Sequence, residues 1–113
     1  MMSILSSEPL PTAVFCANDE TAVGAIAAIQ DKGLEVPKDI SVMGFDGTSL
    51  CQTVRPTITT IVQPVDEISS AAVKALISAI EGKGHQERLI WSADLLIGGT
   101  TAAVASGGTG RLV

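Results

Sequence analysis

An α/β fold built on a parallel sheet is predicted by three features of the sequence. Two short apolar runs, at 13–17 and 40–45, are separated by an amphipathic helical pattern. A third, β-branched run at 58–62 precedes a second helical pattern. Strand–helix–strand alternation of this kind makes parallel, right-handed crossovers. With 113 residues the chain holds one small domain at most.

Residues 1–5 could form a stub of helix, closed by Glu8-Pro9-Leu10-Pro11. The run Ala13-Val14-Phe15-Cys16-Ala17 has no polar interruption, as expected of a strand covered on both faces. Asn18 and Asp19 follow, both good helix N-caps. A helix is predicted over 20–32, with Ala22, Ala25, Ile26 and Ile29 on one face and Gly33 just past its end. The strand at 40–45 then runs out at Asp46-Gly47.

Residues 48–56 read as irregular and polar, and 58–62 as a strand. Gln63-Pro64 breaks that strand. A long helix is predicted from Asp66 to Glu81, with its acids at the positive end of the dipole. Its apolar face is expected to be Ile68, Ala72, Leu76, Ala79 and Ile80. A last strand or strand pair is predicted at 88–97, and the Gly- and Thr-rich chain from Gly98 is expected to fray.

Composition excludes several functions. Seven Lys+Arg against twelve Asp+Glu give a net charge of −5, the wrong sign for gripping phosphate backbones. With one Trp, two Phe and no Tyr, stacking on single-stranded nucleic acid is not expected either. No apolar run approaches the roughly 18 residues of a membrane span, and the start has no basic, signal-like leader. Cys16 and Cys51 lie far apart and outside any CxxC, which fits a reduced cytoplasmic chain.

Candidate chemistry is positional. Asn18-Asp19 and Asp46 fall where strands end, and open α/β sheets bind ligands outside the carboxyl ends of their strands. Neighbouring strands are roughly 5 Å apart, so an amide and a carboxylate there can converge on one small polar molecule. An amide that donates and accepts, beside a carboxylate that accepts two hydroxyl hydrogens, suits a polyol. The same residues also fit a purely local role: a helix cap at Asn18 or Asp19, and an Asx turn at Asp46-Gly47.

His85 stands alone in a predicted loop, and Ser49 is in GTSLC rather than a GxSxG elbow. SGGTGR lacks the Lys-Ser/Thr of a P-loop. No acid–base pair, metal-ligand set or cofactor motif emerges, so an enzyme is not expected and neither is a cofactor.

At length, PTAVFCANDETAVGAIAAIQDKGLEVPKDISVMGFDGT followed by RPTITTIVQPVDEISSAAVKALISAIEG closely resembles the last third of LacI/GalR-type bacterial transcription regulators. The resemblance covers about residues 11–101. It implies a Rossmann-like, three-layer parallel sheet of the type I periplasmic-binding-protein kind, present here as part of the C-terminal subdomain. In such regulators a small effector, a sugar or a purine, binds between two subdomains and changes the dimer's affinity for operator DNA.

Carried over position by position, Asn18 and Asp46 match effector-contacting residues. Gln63, where the chain crosses between subdomains, is a further candidate. Thr21 and Val23, with Leu50, Thr53 and Val54, match the dimer surface. The expected organisation is effector-domain fragment over 1–101 and flexible tail over 102–113, with no counterpart of the DNA-binding helices or first subdomain. Operator DNA would be reached only through that absent domain.

Surfaces left open by such a fragment are expected to drive dimers or higher oligomers, by strand exchange among other routes. Two departures stand out. Gly47 replaces a common second acid, and Gly98 stands where an Arg often tethers the final strand. A periplasmic sugar-binding protein of the same fold, acting in transport, is the competing reading.

Overall fold

The computed structural model describes residues 1–84 and 88–104. They form a short 3-10 turn at Ile4–Ser6 and then β1 (Ala13–Phe15), α1 (Asp19–Asp31), β2 (Ser41–Asp46), α2 (Leu50–Thr53), β3 (Thr59–Val62), α3 (Val65–Ile80) and β4 (Asp94–Leu96). The sheet order is β1-β2-β3-β4. The β1–β2 and β2–β3 pairs are parallel, with Val14 beside Val42, and Gly44 beside Thr60. The expected parallel α/β arrangement is what the chain adopts.

Two compact units divide the chain: Met1–Val62 with the segment from Leu95 onward, and Gln63–Asp94. In the first, α1 lies on one face of the sheet. Its Ala22, Ala25, Ile26 and Ile29 are buried together with Val14, Val42 and Ile58, so the predicted helix face is the core. The helix begins where Asn18 Oδ1 accepts the Thr21 N–H at 2.8 Å. It ends at Gly33, whose φ of +76° is a left-handed conformation that glycine takes without steric cost. There the Leu34 N–H reaches back to the Ile29 carbonyl and the Gly33 N–H to that of Gln30, a Schellman closure.

The opposite face of the sheet stays open in this unit. Phe15 is 51% exposed and meets Phe45 edge-to-face at 6.3 Å. A hollow of about 820 Å³ is lined by Phe15, Met43 and Ile61 together with Leu10, Leu34 and Pro37.

Three expectations need correction. Residues 48–56 are not wholly irregular, because Leu50–Thr53 make one helical turn, with Cys51 buried at its centre. The predicted strand region 88–97 holds a strand only at Asp94–Leu96, and all three of its residues are exposed. The chain from Gly98 does not fray at once. Gly98 N–H donates to Thr59 Oγ1, Gly99 N–H to the Thr57 carbonyl, and Ala102 N–H to Ser41 Oγ.

Thr100 is the centre of that clamp. Its carbonyl accepts the Val42 N–H at 2.8 Å and its hydroxyl the Thr59 N–H at 2.9 Å, and the residue is fully buried. Residues 98–102 therefore complete backbone pairing at the amino ends of β2 and β3, where unpaired groups would be costly. A Cβ on Gly98 would lie 2.4 Å from the Thr57 carbonyl oxygen. The backbone itself is the tether there, and a side chain at 98 would need it to shift. Of the predicted tail, 105–113 lies outside the described residues, as does His85.

In the second unit α3 runs as predicted to within a residue, but no residue of it is buried. Leu76 and Ile80, expected on the buried face, are exposed, and Ile68 is half-buried. The half-buried stripe is Ile68, Ala71, Ala75 and Ser78, rotated from the expected face toward smaller side chains.

Candidate functional site

The carboxyl ends of β1 and β2 bring Asn18 and the Asp46 turn to the same end of the sheet. Asn18 is half-buried and caps α1 through Oδ1. The local role weighed for it is thus real, and it engages only one of the amide's two polar atoms. Asp46 is the last residue of β2, half-buried, with a φ of +106°. It is the one non-glycine residue with positive φ among those described. Such conformations are sparsely populated in L-residues and cluster at functional sites. Gly47 follows at φ +73°, and a Cβ there would lie 2.8 Å from Val62 Cα. The second acid of the resemblance has no room at this position.

Beneath the turn lies a polar knot that sequence reasoning did not assign to a site. Asp19 is completely buried in the first turn of α1. Its Oδ2 accepts the Thr48 N–H at 2.7 Å and the Thr48 hydroxyl at 2.9 Å. Its Oδ1 accepts the hydroxyl of the buried Thr60 at 2.5 Å. The signal for this was Thr60, a polar residue on the inward face of an apolar strand, together with Gly44 opposite it. A Cβ on Gly44 would lie 2.5 Å from Asp19 Oδ1.

Gln63 opens the second unit directly after β3, is half-buried, and its carbonyl accepts the Val65 N–H at 2.9 Å. Thr21 and Thr53 are exposed, Leu50 is half-buried, and Val23 and Val54 pack partly against the core. These five sit on α1, on α2 and just past α2, and the two helices touch. Cys16 and Cys51 are both buried free thiols, and burial pushes the Cys16 pKa up. Among the described residues no group of His, Cys, Asp and Glu could hold a metal ion. The hollow on the open face of the sheet is lined by neither Asn18 nor Asp46.

Residues 2–101 match the family model of the periplasmic binding protein-like domain. The ribose operon repressor of Haemophilus influenzae is 40% identical over 90 residues, which is 80% of this chain and 27% of that repressor. The chain thus spans little more than a quarter of that curated relative. A dimeric Lac repressor with an 11-residue C-terminal deletion superposes with a TM-score of 0.79 at 34% identity, covering 90% of this chain and 38% of that one. A LacI family regulator from Enterococcus faecium with bound ribose gives 0.75 at 29%, covering 92% and 38%.

Proposed function

The chain belongs to the periplasmic binding protein-like domain family, among its LacI-type repressors, and on that premise we propose that it is the C-terminal part of an effector-binding domain. The effector is a small polar molecule, a sugar in the first instance and a purine in the second. It binds at the carboxyl ends of β1 and β2, where Asp46 accepts hydroxyl or N–H hydrogens and the Asn18 amide donates. Gln63 contributes from the segment that follows β3. Binding there shifts the repressor between states of different operator affinity, which requires only that the effector favour one state.

The observation that carries this reading is the turn at Asp46. A carboxylate on a backbone with φ of +106° stands at the strand ends where α/β folds take their ligands. Ribose is the first candidate, since one relative is a ribose operon repressor and one structural neighbour holds ribose. The repressor identity of these relatives favours regulation over transport. It also supports a cytoplasmic location and a role without catalysis. No helix among the described residues is long and apolar enough to cross a membrane. Thr21, Val23, Leu50, Thr53 and Val54 form the surface through which two copies pair, and operator DNA is contacted outside this stretch.

The test uses the protein as its gene encodes it, titrated with D-ribose, other sugars and purine bases while operator binding is followed. Asp46→Ala should weaken the response to the active ligand by about 1.5–3 kcal/mol, the value of hydrogen bonds to a charged group. An unchanged response would return Asp46 to a turn-forming role and remove the reading.

A further inference from the structure

We propose that the Asp19 carboxylate is the positioning residue of this site, fixing the Asp46–Gly47 turn from below by holding Thr48. The inference rests on the reading that Asp46 meets the effector. Asp19 itself cannot, because it is completely buried and both its oxygens are engaged within the protein. Its effect passes through Thr48, whose N–H and hydroxyl both bond to Oδ2.

The turn needs such a hold. Asp46 has a positive φ, and for a residue with a Cβ such a conformation persists only where its surroundings over-determine it. On the upstream side the ladder fixes it, with Asp46 in register with Val62. Laterally, the missing Cβ of Gly47 lets the backbone rest against Val62. Downstream, the N–H and hydroxyl of Thr48 are tied to Asp19, while its carbonyl accepts from the Cys51 N–H and thiol at the start of α2. Oδ1 meanwhile accepts from Thr60 on β3, so a single carboxylate ties α1, the turn after β2, and β3.

The side chain is specified closely. Asparagine would replace one of two acceptor oxygens by a donor nitrogen and lose the charge that strengthens the three bonds Asp19 accepts. Glutamate would push a further methylene toward Gly44, where the carboxylate already fills the space a Cβ would take.

The experiment is amide hydrogen exchange by NMR on the isotope-labelled 113-residue chain, without ligand. In Asp19→Asn, exchange at the Thr48 amide should rise at least tenfold more than at Ile29 and Val42 in the core. Thr48→Ser, which keeps both donors, should stay at the wild-type rate. A rise at Thr48 no larger than that at Ile29 and Val42 would overturn the proposal, leaving Asp19 a general stabiliser. If Asp19→Asn does not fold, Thr48→Val removes only the hydroxyl bond of an exposed residue. It should still raise exchange at residue 48 selectively, by threefold or more, and a uniform rise across the core overturns the proposal equally. The effector reading fails separately, through Asp46→Ala, and its failure leaves the exchange result standing.

Discussion

At Gly98 a missing methyl group decides what the chain can do. The position invites an arginine by resemblance, yet its α-carbon rests on the Thr57 and Ile58 backbone, where a Cβ would come within 2.4–2.8 Å of main-chain atoms. Gly98→Ala should therefore cost about 1–3 kcal/mol, as overpacking against immovable backbone does, and Gly98→Arg at least as much. Urea denaturation measures it, and a variant as stable as the wild type would show that this contact yields freely. Gly47 teaches the same lesson beside the site. Neither restriction can be read from one sequence, because each depends on how closely another strand's backbone approaches. Asp46 was legible as a candidate through its place at a strand end, but its left-handed backbone was not. Asp19 was legible only as a capping acid, since its real partners, Thr48 and Thr60, are 29 and 41 residues away.

At the level of the element, α1 is the part the sequence specifies most fully. Cap, first-turn acids, apolar stripe and terminal glycine all agree, and the observed helix, Asp19–Asp31, differs from the expected one by a residue at each end. Asn18→Ala should destabilise the chain by about 1 kcal/mol through the lost cap, while Asn18→Asp should leave it near wild type. Thermal unfolding followed by circular dichroism distinguishes the two, and equal losses would mean that the cap oxygen contributes nothing. The elements misread from sequence share a cause. Leu50–Thr53 is a single turn, too short for periodicity to register, and it forms where Cys51 can be buried. The chain after Gly98 looked like a frayed end because its order comes from bonds to Ser41, Val42, Thr57 and Thr59, none of them local. In α3 the periodicity located the helix correctly. Its half-buried stripe nonetheless falls on Ile68, Ala71, Ala75 and Ser78 rather than on the largest side chains.

On the scale of the whole molecule, the parallel order of β1, β2 and β3 follows from alternation that the sequence shows plainly, whereas the exposure of one sheet face does not. Phe15 was expected in a strand covered on both sides and is half exposed, over a hollow of about 820 Å³. Contiguous apolar surface of this kind promotes association in water. Sedimentation velocity of the 113-residue chain at micromolar concentration should give a dimer or larger species, and Phe15→Lys should reduce it. A monomer throughout the concentration series would show that the open face is tolerated in solution.

The threonine clamp has a consequence for how the chain is made. Val42 and Thr59 pair with Thr100, across separations of 58 and 41 residues. A ribosome delivering the chain from its amino end exposes β1, α1 and β2 well before Thr100 has left the exit tunnel. Until then the amino ends of β2 and β3 present unmet donors, and closing so long a loop is among the slower steps of folding. The first half of this unit is thus synthesised as an open template that residues 98–102 seal.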